Sequence, residues 1–148
     1  MEKISTVSAV QWLPPESKPD EECTILELWS RFHNEIADYQ RFLCRDKTIA
    51  EYTSVLRAIE KALQKQKAIE MTAADCLDAV MSVTTYERGG KTEAYKDSSL
   101  QKRWAVIRDI FRFCENRFIC ANPLWLAPWE ILGVHPRDVW YKDKETIT

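Results

Sequence analysis

The stretch SSLQKRWAVIRDIFRFCENRF, residues 98–118, decides the fold. Its Leu100, Trp104, Ile107, Phe111, Cys114 and Phe118 are spaced four, three, four, three, four. Positions three and four apart share one face of an α-helix, so these six form a single apolar stripe. Ser98 or Ser99 stands where an N-cap is expected, because a hydroxyl there accepts from an unpaired N–H of the first turn. Phe113 lies well off the stripe and needs a second neighbour or solvent. A helix with such a face requires other apolar faces to cover it.

Those faces lie upstream. Ile25, Trp29, Phe32, Ile36, Tyr39 and Leu43 repeat the same rhythm behind Thr24, a candidate N-cap, and the pattern breaks over residues 44–47. Thr48 is the next start signal, and Ile49, Tyr52, Leu56, Ile59 and Leu63 carry a second helix to about Lys67. Thr72 opens a shorter third helix with Leu77, Val80, Met81 and Val83 on its apolar side; Asp75 and Asp78 favour the dipole at its start. Residues 84–97 hold Gly89 and Gly90 and read as a loop of fourteen residues, long enough to be functional or mobile. The expectation is an all-α fold, a compact four-helix bundle over residues 23–121. Residues 1–22, with Pro14, Pro15 and Pro19, form an extended or mobile N-terminal arm. Asn122 and Pro123 stop the last helix, and residues 122–148 form an irregular segment carrying Trp125, Trp129, Trp140 and Tyr141.

Composition agrees. The chain has 148 residues, one domain's worth, and 45% apolar side chains, so it can build a core. Only 3 Gly argues against hairpin-rich sheets and glycine-lined phosphate loops. No apolar run approaches the roughly 18 residues of a membrane span, and the first 25 residues lack a secretory pattern, so a cytoplasmic, membrane-free protein is expected. Five cysteines without C-x-x-C spacing, and two histidines not paired at i, i+4, argue against a disulfide scaffold, a zinc site or any other cofactor. No nucleophile elbow, phosphate loop or zinc-protease motif occurs, so no catalytic residue is nominated.

The net charge of −2 conceals an asymmetry. Residues 1–40 carry 3 basic and 8 acidic groups, residues 41–117 carry 15 and 11, and residues 118–148 carry 3 and 4. An anionic partner would therefore meet the middle of the chain.

The order of signals over residues 24–123 resembles the N-terminal core-binding domain of tyrosine recombinases, the phage-integrase type. The resemblance rests on Thr48 and Tyr52; Met71, Thr72 and Asp75; Ser99, Gln101 and Lys102; residues 110–113; and Asn122 with Pro123. Ser99 and Gln101 depart from the family's usual Thr and Asn. The resemblance implies a SAM-like bundle that binds double-stranded DNA at a core recombination site. It also implies a parent protein whose separate C-terminal domain carries a Tyr nucleophile, two Arg, a Lys and His or Trp, and which acts with other protomers on DNA. His135, Pro136 and Arg137 do not make the family's His-x-x-Arg box, so the chain is expected to bind without cutting, with residues 122–148 as a linker towards that domain.

Phosphate contact calls for cations and hydroxyls on one face. On the second helix Lys47, Ser54, Lys61 and Lys65 lie opposite the stripe, with Arg57 at its flank, and Thr48 would place the positive helix end near a phosphate. On the last helix Ser99, Lys102 and Arg103 lie in the first turns. Plain solvation, ordinary capping and pairing of Lys47 with Glu51, or of Arg112 with Asp109 and Glu115, compete with this role. The alternative function is a helical protein-interaction adaptor, motivated by net acidity and by Phe113, Trp125, Trp129 and Trp140.

Overall fold

The computed structural model of the chain describes residues 8–38, 45–135 and 139–140. In chain order its elements are α1 (Ile25–Asp38), α2 (Arg45–Ala58), α3 (Glu60–Leu63), α4 (Ala73–Val80), β1 (Thr85–Arg88), β2 (Lys91–Ala94), α5 (Asp97–Asn116) and α6 (Pro128–Leu132). The molecule is mostly helical, and one small antiparallel hairpin departs from the all-α expectation.

The last predicted helix, α5, is the axis around which the others pack: α1, α2 and α4 all touch it. Leu100, Trp104, Ile107, Phe111 and Cys114 are buried as their spacing predicts. Val106, Ile110 and Phe113 are buried too, so the covered face of α5 is wider than the single stripe. Phe113 finds its second neighbour in Phe32 of α1, with ring centroids 5.1 Å apart. The stripe fails only at its end. Phe118 is 96% exposed, because α5 stops at Asn116 and Phe118 turns into the left-handed region with φ 59°. The Ile119 N–H then reaches back to the Cys114 carbonyl at 2.8 Å, closing the helix.

α1 begins as predicted at Thr24. Its hydroxyl accepts from the Glu27 N–H at 3.1 Å, while the Glu27 carboxylate accepts from the Thr24 N–H at 2.9 Å, a reciprocal capping box. Thr72 and Asp75 repeat this box at the start of α4. The Trp29 indole N–H donates to Thr53 of α2 at 3.0 Å, which satisfies a polar atom in the core between these helices. The predicted second helix is broken. Ile59 leaves helical geometry at φ −124° and ψ 23°, dividing it into α2 and α3, although Ile59 and Leu63 still face the core. Tyr39, Leu43 and Cys44, with residues 1–7, Pro136, Arg137 and Tyr141, lie outside the described residues.

Three further expectations change. Residues 8–22, expected as an extended or mobile arm, form a strap of short turns docked across the bundle. The Trp12 backbone N–H donates to Ser30 Oγ at 3.1 Å and its indole N–H to Glu60 at 2.9 Å. Arg31 of α1 holds the strap from below through the carbonyls of Pro15 and Lys18 and the carboxylate of Asp20. Residues 84–97 contain a hairpin where a loop is expected. Its two-residue turn is Gly89–Gly90, with φ of 59° and 81°, the positive values that a tight turn matched to strand twist requires. Downstream, Leu124, Val139 and Trp140 join the core, Trp140 lying 6.4 Å from Trp104, whereas Trp125 is 74% exposed. Of the aromatics assigned to an adaptor surface, Phe113 and Trp140 are therefore interior.

A left-handed conformation costs a side chain with a Cβ about 1–2 kcal/mol. Since exposed Phe118 has little burial to lose, Phe118→Gly is expected to raise stability by roughly 1 kcal/mol in urea denaturation. At Glu27, burial favours the neutral acid, but the Thr24 N–H and the Lys18 ammonium outweigh it and hold the pKa below the ordinary value. A depressed folded pKa contributes stability above the unfolded pKa of about 4.3 and loses it as pH falls through the lower folded value. Glu27→Gln is thus expected to be destabilised at pH 7 and closer to wild type at pH 3; an equal deficit at both pH values would contradict the assignment.

Candidate nucleic-acid interface

The exposed side of α2 meets the first turns of α5 at an open recess of about 440 Å³. Ser54 and Ala58 come from α2, Ser98, Ser99 and Lys102 from α5, and Tyr95 from the hairpin's exit. Four predicted site residues line it: Ser54 and, 45 or more residues later in the chain, Ser99, Lys102 and Arg103. A second recess of about 400 Å³ shares Ala58 with the first and is lined by Arg57, Lys61 and Lys65 with Ser82 and Val83. Lys47 is exposed in the first turn of α2 and lines neither.

Each cation stands in a different electrostatic setting. The Lys102 ammonium lies 3.1 Å from Glu51 and 5.8 Å from the centre of the Tyr52 ring. That ion pair, half exposed, contributes little energy but holds the amine at the lip of the recess. Lys47 thus loses its predicted partner, because Glu51 turns to α5. Arg112 does take Asp109, at 3.9 Å. Arg57 donates to Gln11 of the strap at 2.5 Å, so the strap reaches the edge of the second recess. Lys61 and Lys65 are exposed.

Two predicted contacts are corrected by burial. Arg103 is 2% exposed: its guanidinium donates to the carbonyls of Val80, at 2.8 Å, and Val83, and lies 4.4 Å from the centre of the Tyr95 ring. It caps the C-terminal end of α4, where a cation meets the negative end of the helix, and anchors the hairpin. Thr48 is fully buried. The helix already runs at Arg45, so Thr48 is inside the first turn, with its hydroxyl turned into the protein and unable to meet a phosphate. Ser99 keeps its place in the recess but is not the cap: Lys96 holds that position, and the Ser99 N–H bonds to its carbonyl at 2.9 Å.

Behind the recess, Tyr52 donates to Asp109 of α5 at 2.5 Å. Burial, then that carboxylate, push the Tyr52 pKa far above the ordinary phenol value, so the hydroxyl remains protonated and acts as a tie between α2 and α5. The Cys76 thiol is pushed up to about 12 by burial, an inert core group. No cluster of three or more His, Cys, Asp or Glu suited to a metal occurs among the described residues. Val55, Ala58, Tyr95 and Ser98 line the recess outside the predicted set, Tyr95 with its ring against Tyr86 at 4.8 Å.

Removing Arg103 leaves two carbonyls at the end of α4 without their donor. Arg103→Ala is expected to lower unfolding free energy by roughly 2–4 kcal/mol in urea, far more than a surface cation would. No protein-family model matches the chain, and no curated protein or solved structure matches it either.

Proposed function

We propose that the chain is a duplex-DNA-binding module of the tyrosine-recombinase core-binding type, clamping one side of a core recombination site. The observation that carries this reading is the convergence of Ser54, Ser99 and Lys102 on one open recess, flanked by Arg57, Lys61 and Lys65. Hydroxyls and flexible ammonium groups suit phosphate oxygens, which position a protein on DNA without reading sequence. Cleavage and rejoining would belong to a catalytic domain of the same parent protein, with other protomers bound alongside. The module itself needs no cofactor or metal.

A second reading, a helical protein-interaction adaptor, draws on the exposed Trp125 and Leu126 after α5. Duplex titration separates the two. Each neutralised phosphate adds about 0.9 to the slope of log affinity against log salt, so three lysine contacts predict about 40-fold weaker binding at 200 mM than at 50 mM salt. Charge reversal at Lys47, Lys61 and Lys102 together should abolish binding with helical content intact by circular dichroism. Absence of binding by the unaltered chain at low salt favours the adaptor.

A further inference from the structure

The hairpin carries chemistry that the recess does not use. Its rungs pair Tyr86 with Glu93, Glu87 with Thr92, and Arg88 with Lys91. Two of these are chemically matched: the Tyr86 hydroxyl donates to Glu93 at 3.1 Å and the Thr92 hydroxyl to Glu87 at 2.6 Å. The third sets two cations directly opposite each other beside the Gly89–Gly90 turn, and both are exposed. Like charges on one rung disfavour the pairing. Neither Arg88 nor Lys91 makes an ion pair among the described residues, and the hairpin's two carboxylates are occupied by hydroxyls across their own rungs.

This ribbon has little internal reason to persist. Two strands with mostly exposed side chains are marginal in water, and it is held at its base alone, by Tyr86 on Tyr95, Tyr95 under Arg103, and the Tyr95 N–H on the Thr84 carbonyl at 2.9 Å. The base is therefore rigidly joined to the wall of the recess, since Tyr95 lines it. From Tyr95 to Lys91 the strand extends about 13 Å at ~3.3 Å per residue. That length is close to the ~12 Å width of the major groove of B-DNA, which also admits a two-stranded ribbon.

We propose that the basic tip, Arg88 and Lys91 around the glycine turn, is a second phosphate clamp. It grips the backbone strand across the major groove from the strand held at Ser99 and Lys102. The side-chain-free turn lets the backbone approach the duplex closely, and the opposed cations are relieved by the phosphates between them. This inference rests on the duplex-binding reading and adds a contact that the reading does not contain.

The test uses the full chain, a fluorescent 20-base-pair duplex and a salt series. Arg88→Ala with Lys91→Ala should reduce the magnitude of the salt slope by about 1.8, the loss of two phosphate contacts. The charge-preserving exchange Arg88→Lys with Lys91→Arg should leave the slope unchanged, and near-ultraviolet circular dichroism of the Tyr86–Tyr95 pair should show the hairpin retained in both. An unchanged slope in the alanine variant, with binding weakened by Lys102→Ala, overturns the hairpin clamp and leaves the recess reading standing. The converse result, hairpin sensitive and Lys102 insensitive, overturns the two-strand clamp, because no strand is then held at Lys102 for the tip to oppose. No duplex binding by the unaltered chain, or equal affinity for polyglutamate, overturns the clamp as a DNA contact.

Discussion

Burial of a broad face of α5, about half its circumference, is the constraint that the remaining structure answers to. A single apolar stripe would let a helix lie on a surface, but a helix that also buries Val106, Ile110 and Phe113 must be wrapped. The wrapping comes from α1 on the Phe113 side, α2 through Tyr52 and Asp109, α4 through Arg103, and the C-terminal segment through Trp140 against Trp104. Fully burying such aromatic side chains is worth about 1.5–3 kcal/mol each, so the axis dominates the energetics. The recess is a by-product of this arrangement: it forms where the first turns of α5 emerge from their sheath, with Leu100 inside and Ser99 and Lys102 at the edge.

Charge follows the same logic. The middle of the chain has a surplus of cations, yet Arg103 is directed inward to backbone carbonyls and Lys102 shares its charge with Glu51. The field at the recess is thus weaker than composition implies, and further exposed cations stand to either side of it: Lys61 in α3 and Lys65 just after it, Arg88 and Lys91 on the hairpin. Affinity built from such spaced contacts depends on geometry as well as net charge, which is why an acidic chain remains compatible with an anionic partner.

Helix periodicity makes α1, α4 and α5 legible, and Thr24 and Thr72 are legible as N-caps because that chemistry is local. Ile59 illustrates the limit: its place on the stripe is correct, but a break that keeps the apolar phase leaves no trace in spacing. The inward course of Arg103 is not legible in spacing because a long side chain at i+3 from Leu100 sits on the flank of the stripe, where its stem is covered and its head finds carbonyls. Phe113 falls outside the single stripe because the buried face of α5 is wider than one stripe and meets Phe32 of α1 at its edge. The hairpin is hidden for another reason: four-residue strands with both faces wet show little alternation, and a Gly-Gly pair reads as a loop signal although its positive φ values make it the pivot of a pairing. The recess needed tertiary structure, since Ser54 and Ser99 are 45 residues apart and nothing local joins them.

The docked strap has a kinetic meaning. Its bonds from Trp12 to Glu60 and from Gln11 to Arg57 span 48 and 46 residues, so they close large loops and gain nothing until α1, α2 and α3 lie side by side. The strap therefore assembles late, onto a surface already formed. By the same token it is the piece whose local opening leaves the axis of the bundle undisturbed, and its exchange with solvent reports on the edge of the recess rather than on global unfolding.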